Sequence, residues 1–429
     1  MKKSFYYLVA SIVMIAGLIT SLRYLEAEDA TAGDKVPDQY IVVFKDQVAD
    51  ADVTTNELVK KHGLKHLQTY RHVLSGFAAR IPASRLKALK DDPRVAFISE
   101  DRVVTALDQG EAMGPKKNSR PVSPAQKLPT GIDRINAENK INNGTGINVA
   151  IIDTGIDYTH PDLAANVVGG INCTTVKGGY TDGNGHGTHV AGIVAALNNS
   201  IGVVGVAPEA KLWAVRVLNN AGSGTWSSII CGIDFVTSKG PQNGGPITVA
   251  NMSLGGKGVS DNDCGNTNSD ALHQAICRSR DAGVTYVVAA GNSSVDAATS
   301  VPAAYDDAVI TVSALADSDG NPGGLGAPTT AGPDDTFATF SNYGSVVDLG
   351  APGVSILSTW KGGGYSTISG TSMASPHVAG AAALYLATHS GASWAVVRDA
   401  LKTSGEPVGA DHSDPTGLHP EPVVRADSL

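Results

Sequence analysis

The sequence predicts an α/β fold built on a mostly parallel central sheet, with a small α+β unit in front of it. Three observations carry that prediction. From Gly131 onward, near-continuous apolar runs ("INVAIID", "KLWAVRVL", "ITVANMSL", "VTYVVAAGN", "AVITVSAL") alternate with helical stretches ("HVAGIVAAL", "SSIICGIDFV", "DALHQAICRSRDAG", "SMASPHVAGAAALYLATH"), the pattern of strands buried on both faces by crossover helices. The 429 residues include 49 Gly and only 17% charged residues, which suits tight turns between buried elements. A shorter alternation occupies residues 38–104, and the length exceeds the needs of one small core.

The elements follow in order. Lys2 and Lys3, an uncharged run over 4–22 and a polar stretch over 23–32 read as an export signal, cleaved after Ala27 or Ala32. The run is long enough to span a bilayer, so an uncleaved anchor, and with it a membrane association, is the rival reading. Residues 38–104 should hold strands at 39–44, 76–81 and 95–98 and helices at 53–62 and 83–90, a small α+β sandwich. Residues 105–127, rich in Gly, Lys, Asn, Ser and Pro, read as an exposed linker of the kind proteases cut. Residues 128–429 form the large unit, and its Gly-, Pro- and Asp-rich stretch 316–337 reads as a surface insertion.

A net charge of −9 leaves no basic footprint for nucleic acid, and no GxGxxG or GxxxxGK[ST] follows the first strand of the large unit. The acidic balance suits solubility and cation binding. Cys173, Cys231, Cys264 and Cys277 favour disulfides in an exported chain and allow three pairings. Cys264 with Cys277, closing a short loop onto a helix, is preferred, which leaves Cys173 with Cys231. Four free thiols are the alternative.

Three segments each put one reactive side chain at a strand end or helix start: Asp153 in "VAIIDTGID", His186 in "DGNGHGTHVAG" and Ser372 in "GTSMASPHVAG". A hydroxyl is a poor nucleophile at neutral pH. An imidazole must take its proton, and a buried carboxylate must orient the imidazole. Glycines around His186 and before Ser372 let a substrate strand approach, and a helix N-terminus at Ser372 offers N–H groups to a developing oxyanion.

These motifs, in the order "IIDTGID", "HGTHVAG", "NMSLGG", "AAGN" and "GTSMASPHVAG", make residues 125–426 resemble the subtilisin family of serine peptidases. The resemblance implies the family's three-layer fold and a secreted, extracellular serine endopeptidase. It makes Asp153, His186 and Ser372 the triad and Asn292 the side-chain oxyanion donor. Protein or peptide substrates would be clasped as an extended strand by Gly222, Ser223, Gly224 and Trp226 on one side and Ser253, Leu254 and Gly255 on the other. Ser293 stands where many relatives carry an acid, so large apolar residues, not basic ones, are expected before the cut.

The segment "LNNSIGVVGVAP" resembles the family's calcium loop, which implies a structural calcium held by the carbonyls of Leu197, Ile201 and Val203 and the side chains of Gln126, Asp162 and Asn199. Asp317, Asp319, Asp334 and Asp335 offer a further cation site, but are read as solvated surface. Residues 38–104 resemble the family's inhibitory propeptide, ferredoxin-like in fold, whose tail would lie in the substrate cleft. Self-cleavage is expected just after 104–107 with later trimming towards Ala125, and the chain is expected to act as a monomer.

Overall fold

The computed structural model describes residues 31–108, 124–138 and 140–429. The export segment, apart from residues 31 and 32, and the middle of the linker therefore lie outside the described residues. Among the described residues no helix is long and apolar enough to cross a membrane.

The large unit is organised by its eight-stranded sheet, in the order Thr336–Phe337, Ile310–Ala316, Thr285–Ala289, Ile247–Met252, Asn148–Asp153, Lys211–Arg216 and Val167–Asn172, with Leu349–Pro352 also pairing Ile310–Ala316. The pairings are parallel except that of the short edge strand Thr336–Phe337. Strand Asn148–Asp153 is buried along its whole length, and its side chains part by the two-residue period of a strand. Val149 and Ile151 enter one apolar cluster with Val190, Ile193, Ala374 and Val378. Ala150 and Ile152 enter another with Ile229, Ile233, Leu272 and Ile276. Helices His186–Ala195 and Thr371–Thr388 thus cover one face, and Trp226–Ser238 and Ala271–Asp281 the other, giving the three expected layers.

The small unit is antiparallel. Strand Lys35–Phe44 pairs with Gly76–Arg80 and with Val95–Ala106. Helix Ala51–His62 starts where Asp50 accepts a hydrogen bond from the Val53 N–H and ends on Gly63 in the left-handed region. Val42 and Phe44 face the unit's own helices together with Leu58 and Leu89. Ile41 and Val43 point the other way and join the cluster of the large unit that holds Ile229 and Ile233. One sheet therefore serves two cores.

Two departures from the sequence reading matter. Strand Lys65–Tyr70 was not anticipated, because "KHLQTY" has no clean apolar alternation; its partner Gly76–Arg80 supplies the buried side chains. The strand expected at 95–98 runs on to Ala106, since its second half pairs with Ser223–Thr225 and Leu254–Lys257 of the large unit. Thr105 and Ala106, read as linker, are thus strand. Disulfides join Cys264 to Cys277 and Cys173 to Cys231, the preferred pairing.

Candidate active site

Strand Asn148–Asp153 ends on Asp153, and helix His186–Ala195 begins with His186; both side chains are fully buried. His186 Nδ1–H donates to the two carboxylate oxygens of Asp153, at 2.8 and 2.9 Å. Burial alone would depress the imidazole's pKa. The Asp153 carboxylate outweighs it, with Asp108 and Asp182 adding to the effect, and leaves the pKa above the ordinary value. His186 Nε2 is buried without a hydrogen-bond partner.

Ser372 lies in the first turn of helix Thr371–Thr388, also fully buried. Its hydroxyl donates to the carbonyl of Ser253 at 3.1 Å, not to His186. The Ser253 hydroxyl in turn donates to the carbonyl of Ser372 at 2.8 Å, and the Asn251 amide donates to that Ser253 hydroxyl at 2.9 Å.

The strand Val95–Ala106 and the residue after it occupy the cleft between these groups. Val104 faces Gly224, Thr105 faces both Ser223 and Gly255, and Ala106 faces Leu254. The Ala106 N–H donates to Gly222 O at 2.9 Å and the Leu107 N–H to Ser253 O at 3.3 Å. The Leu107 carbonyl oxygen then accepts two donors, Asn292 Nδ2 at 2.8 Å and the Ser372 N–H at 3.3 Å. Asn292 is oriented for this by Thr371, whose N–H and hydroxyl donate to Asn292 Oδ1 at 2.9 and 2.8 Å. Thr371 was missed in the sequence, although it precedes Ser372 in the quoted motif. Val104, Trp226 and Leu254 belong to one buried apolar cluster.

Two acids that clasp the small unit were also missed. Asp234 accepts the N–H groups of Arg71, His72 and Val73 at 3.0, 2.6 and 3.0 Å. Asp101 accepts the Ser227 N–H at 2.9 Å at the start of helix Trp226–Ser238. Neither stands in a local motif: the three donors to Asp234 all come from the other unit, while Asp101 adds the Ser227 N–H to bonds from Gln39 Nε2 and the Arg102 N–H within its own unit.

The expected calcium loop brings together Gln126, Asp162 and Asn199. Asp162 is fully buried, and burial raises its carboxyl above the usual range. Its oxygens accept from Asn199 Nδ2 at 2.7 Å and the Val203 N–H at 2.9 Å, while Gln126 Oε1 accepts the Asn199 N–H at 2.6 Å. Leu197, Ile201 and Val203 belong to the same loop, which Ile201 and Val203 bridge to Ala125 and Lys127. An all-oxygen set around a buried carboxylate fits a hard cation. The Asn199 amide presents its nitrogen to Asp162, so serving as an oxygen ligand requires that amide to turn over.

The insertion acids depart from expectation. Asp317, Asp334 and Asp335 are 2%, 6% and 2% exposed, and of the four only Asp319 is a solvated surface residue. The loop folds back on itself, with Asp334 accepting the N–H groups of Ser318 and Gly326. Burial, reinforced by Asp335 and Asp334, pushes Asp317 up to about 7.

A carboxylate–imidazole pair, a helix-borne serine and an extended strand whose carbonyl meets two donors define a serine peptidase site. Residues 144–417 match the Subtilase family and residues 39–107 match Peptidase inhibitor I9. The chain belongs to the subtilase family, and it is a serine endopeptidase carrying an inhibitor-type propeptide. It is 36% identical to subtilisin NAT of Bacillus subtilis subsp. natto over 95% of either chain. It is 34% identical to an alkaline protease of Alkalihalobacillus alcalophilus, covering 100% of this chain and 99% of that one. A solved cold-adapted subtilisin-like serine proteinase, 35% identical, matches 69% of this chain and 97% of its own with a TM-score of 0.56.

Proposed function

We propose that the chain is a secreted precursor that cleaves itself between Leu107 and Asp108 and then hydrolyses other proteins after large apolar residues. Asp153, His186 and Ser372 act as the triad, and Asn292 Nδ2 with the Ser372 N–H forms the oxyanion hole. The observation that carries this reading is the Leu107 carbonyl oxygen, met by both donors at once.

The Ser372 hydroxyl turns from the Ser253 carbonyl to the unpartnered Nε2 of His186. Nε2 takes its proton as Oγ attacks the Leu107 carbonyl carbon. Charge moves onto the carbonyl oxygen, where the two donors are already set. The Leu107–Asp108 bond breaks, and His186 returns the proton to the departing amine of Asp108. Water, deprotonated by His186, then releases Leu107 from Ser372.

Residues 38–107 stay behind as an inhibitor, since strand Val95–Ala106 keeps its pairings on both sides of the cleft. Leu107 is itself a large apolar residue before the cut, which supports the proposed preference. Residues 1–32 would direct export. A calcium ion held at Gln126, Asp162, Asn199 and the carbonyls of Leu197, Ile201 and Val203 would brace the loop after helix His186–Ala195 and takes no part in the bond cleavage.

The test is the Ser372→Ala chain. It should accumulate as uncut precursor, whereas the native chain should yield a new N-terminus at Asp108 by mass spectrometry, or one further on after trimming. Cleavage at Leu107 in the Ser372→Ala chain would overturn the proposal.

A further inference from the structure

The loop between strands Ile310–Ala316 and Thr336–Phe337 gathers four acids that divide into two groups. Asp335 is engaged: it accepts from Arg134 Nε at 2.6 Å and from the N–H groups of Gly323 and Gly324, each at 2.9 Å. Asp317, Asp319 and Asp334 have no basic partner in this loop and bring one carboxylate oxygen each within 4.8 Å of the others, Asp334 also accepting the N–H groups of Ser318 and Gly326 and Asp319 that of Asn321. Asp317 is 2% exposed; its Oδ1 accepts the Gly320 N–H at 3.0 Å, and its Oδ2 has no partner. The Ser318 hydroxyl is a second buried oxygen without a partner. It lies on the Asp334 side, because a Cβ at Gly326 would fall 2.3 Å from Ser318 Oγ and 2.7 Å from Asp334 Oδ2.

Three carboxylates so close repel each other, and a buried one with an open oxygen lacks the hydration it loses on folding. Arg134, which also acts on Asp317, already donates to Asp335 and Glu406 and is not released for the others. A hard divalent cation supplies the missing charge, and an all-oxygen set without Cys or His selects the calcium class over zinc. We propose that Asp317, Asp319 and Asp334, with the Ser318 hydroxyl, bind a calcium ion that closes this loop. Water on the exposed side, where Asp319 stands, completes the six to eight oxygens that calcium takes. The site shares no residue with the Asp162 loop, and the proposal does not rest on that one.

The test uses the Ser372→Ala chain, which cannot digest itself, freed of metal by a chelator and titrated with calcium alone by equilibrium dialysis. Asp162→Asn serves as the background, so that only the insertion is read. There, Asp319→Asn should raise the dissociation constant at least tenfold and Asp317→Asn should abolish binding. A second readout is chymotrypsin cleavage at Leu325, which is 89% exposed within the same loop. Calcium should slow that cut at least tenfold in the Ser372→Ala chain and leave it unchanged in the Ser372→Ala chain that also carries Asp319→Asn. Because Asp319 is exposed, its substitution leaves the fold intact. Identical isotherms and identical cleavage rates with and without the Asp319→Asn change would overturn the site, whatever becomes of calcium at Asp162.

Discussion

Asn292 Nδ2 stands 2.8 Å from the carbonyl oxygen of Leu107, the carbonyl that would become the oxyanion. The amide cannot swing freely, because Thr371 holds its oxygen from behind. A donor fixed in advance favours the transition state over the ground state. Asn292→Ala should therefore lower kcat on peptide substrates by about 10²–10³-fold, the range known for the same kind of donor in subtilisin itself, with KM changed little. A loss falling mainly in KM would mean that Asn292 only helps substrate bind.

Gly255 lies against the Leu107 side chain: a Cβ built on it would come within 3.2 Å of Leu107 Cδ1. A branched side chain there would fill the space proposed for the residue before the cut. Gly255→Val should lower kcat/KM for leucine and phenylalanine substrates by about 10–200-fold, since one or two misplaced methyl groups are worth about 1–3 kcal/mol, and should spare alanine substrates. Equal losses for alanine and phenylalanine would place the pocket elsewhere.

Gly370 approaches the same carbonyl from its other side. Its φ is +151°, and a Cβ on it would lie 2.6 Å from Leu107 O and 3.1 Å from Asn292 Nδ2. The positive φ and the crowding both exclude a side chain. Gly370→Ala should leave the precursor folded but uncut, read as a single full-length species on a denaturing gel with native-like circular dichroism. Normal processing of that variant would show that the carbonyl enters the site from another direction.

How much of this was legible in the sequence depended on how local each feature is. Asp153, His186, Ser372 and Asn292 each sit where a strand ends or a helix begins, and such junctions leave glycines and polar residues around them that can be read in a row. The alternation of apolar runs gave the sheet and its two covering layers for the same reason. Strand Lys65–Tyr70 stayed hidden because its stability is borrowed from the buried side chains of Gly76–Arg80. The burial of Asp317, Asp334 and Asp335 was misjudged because composition alone cannot tell an acid-rich loop that folds inward from one that faces water. Asp335 has its partner in Arg134, which lies far away in the chain.

Asp234 shows the same limit from the side of the propeptide. Its carboxylate accepts three consecutive main-chain N–H groups, from Arg71, His72 and Val73, and is only 7% exposed. Hydrogen bonds to a charged group contribute about 1.5–3 kcal/mol, and the amide protons would be left unpaired without it. Asp234→Ala should shorten the lag between self-cleavage and the appearance of activity by about tenfold or more, because the cut propeptide is released sooner. The self-cleavage rate should be nearly unchanged once the chain has folded. An unaltered lag would reduce Asp234 to a spectator.

Two of the buried imidazoles, His189 and His377, weaken the fold in acid. Burial lowers the His189 pKa to about 3, helped by the neighbouring His186, and the His377 pKa to about 4. Both rings are neutral in the folded chain but take a proton near 6.5 once unfolded. Their folded values are depressed, so the stability they permit is present above 6.5 and is lost as pH falls from there towards 4. Each ring should contribute a slope of about 1.4 kcal/mol per pH unit in that window. Buried carboxylates such as Asp101 and Asp182, which burial raises, act in the opposite sense, so a comparison of variants is needed. His189→Gln keeps a donor for the carbonyls of Ile356 and Ser366, which His189 Nε2 meets at 3.0 and 3.1 Å. In the Ser372→Ala precursor, urea midpoints between pH 6.5 and 4.5 should therefore fall less steeply with His189→Gln than without it, by the slope of one proton. Parallel midpoint curves for the two chains would show that His189 is already protonated in the fold.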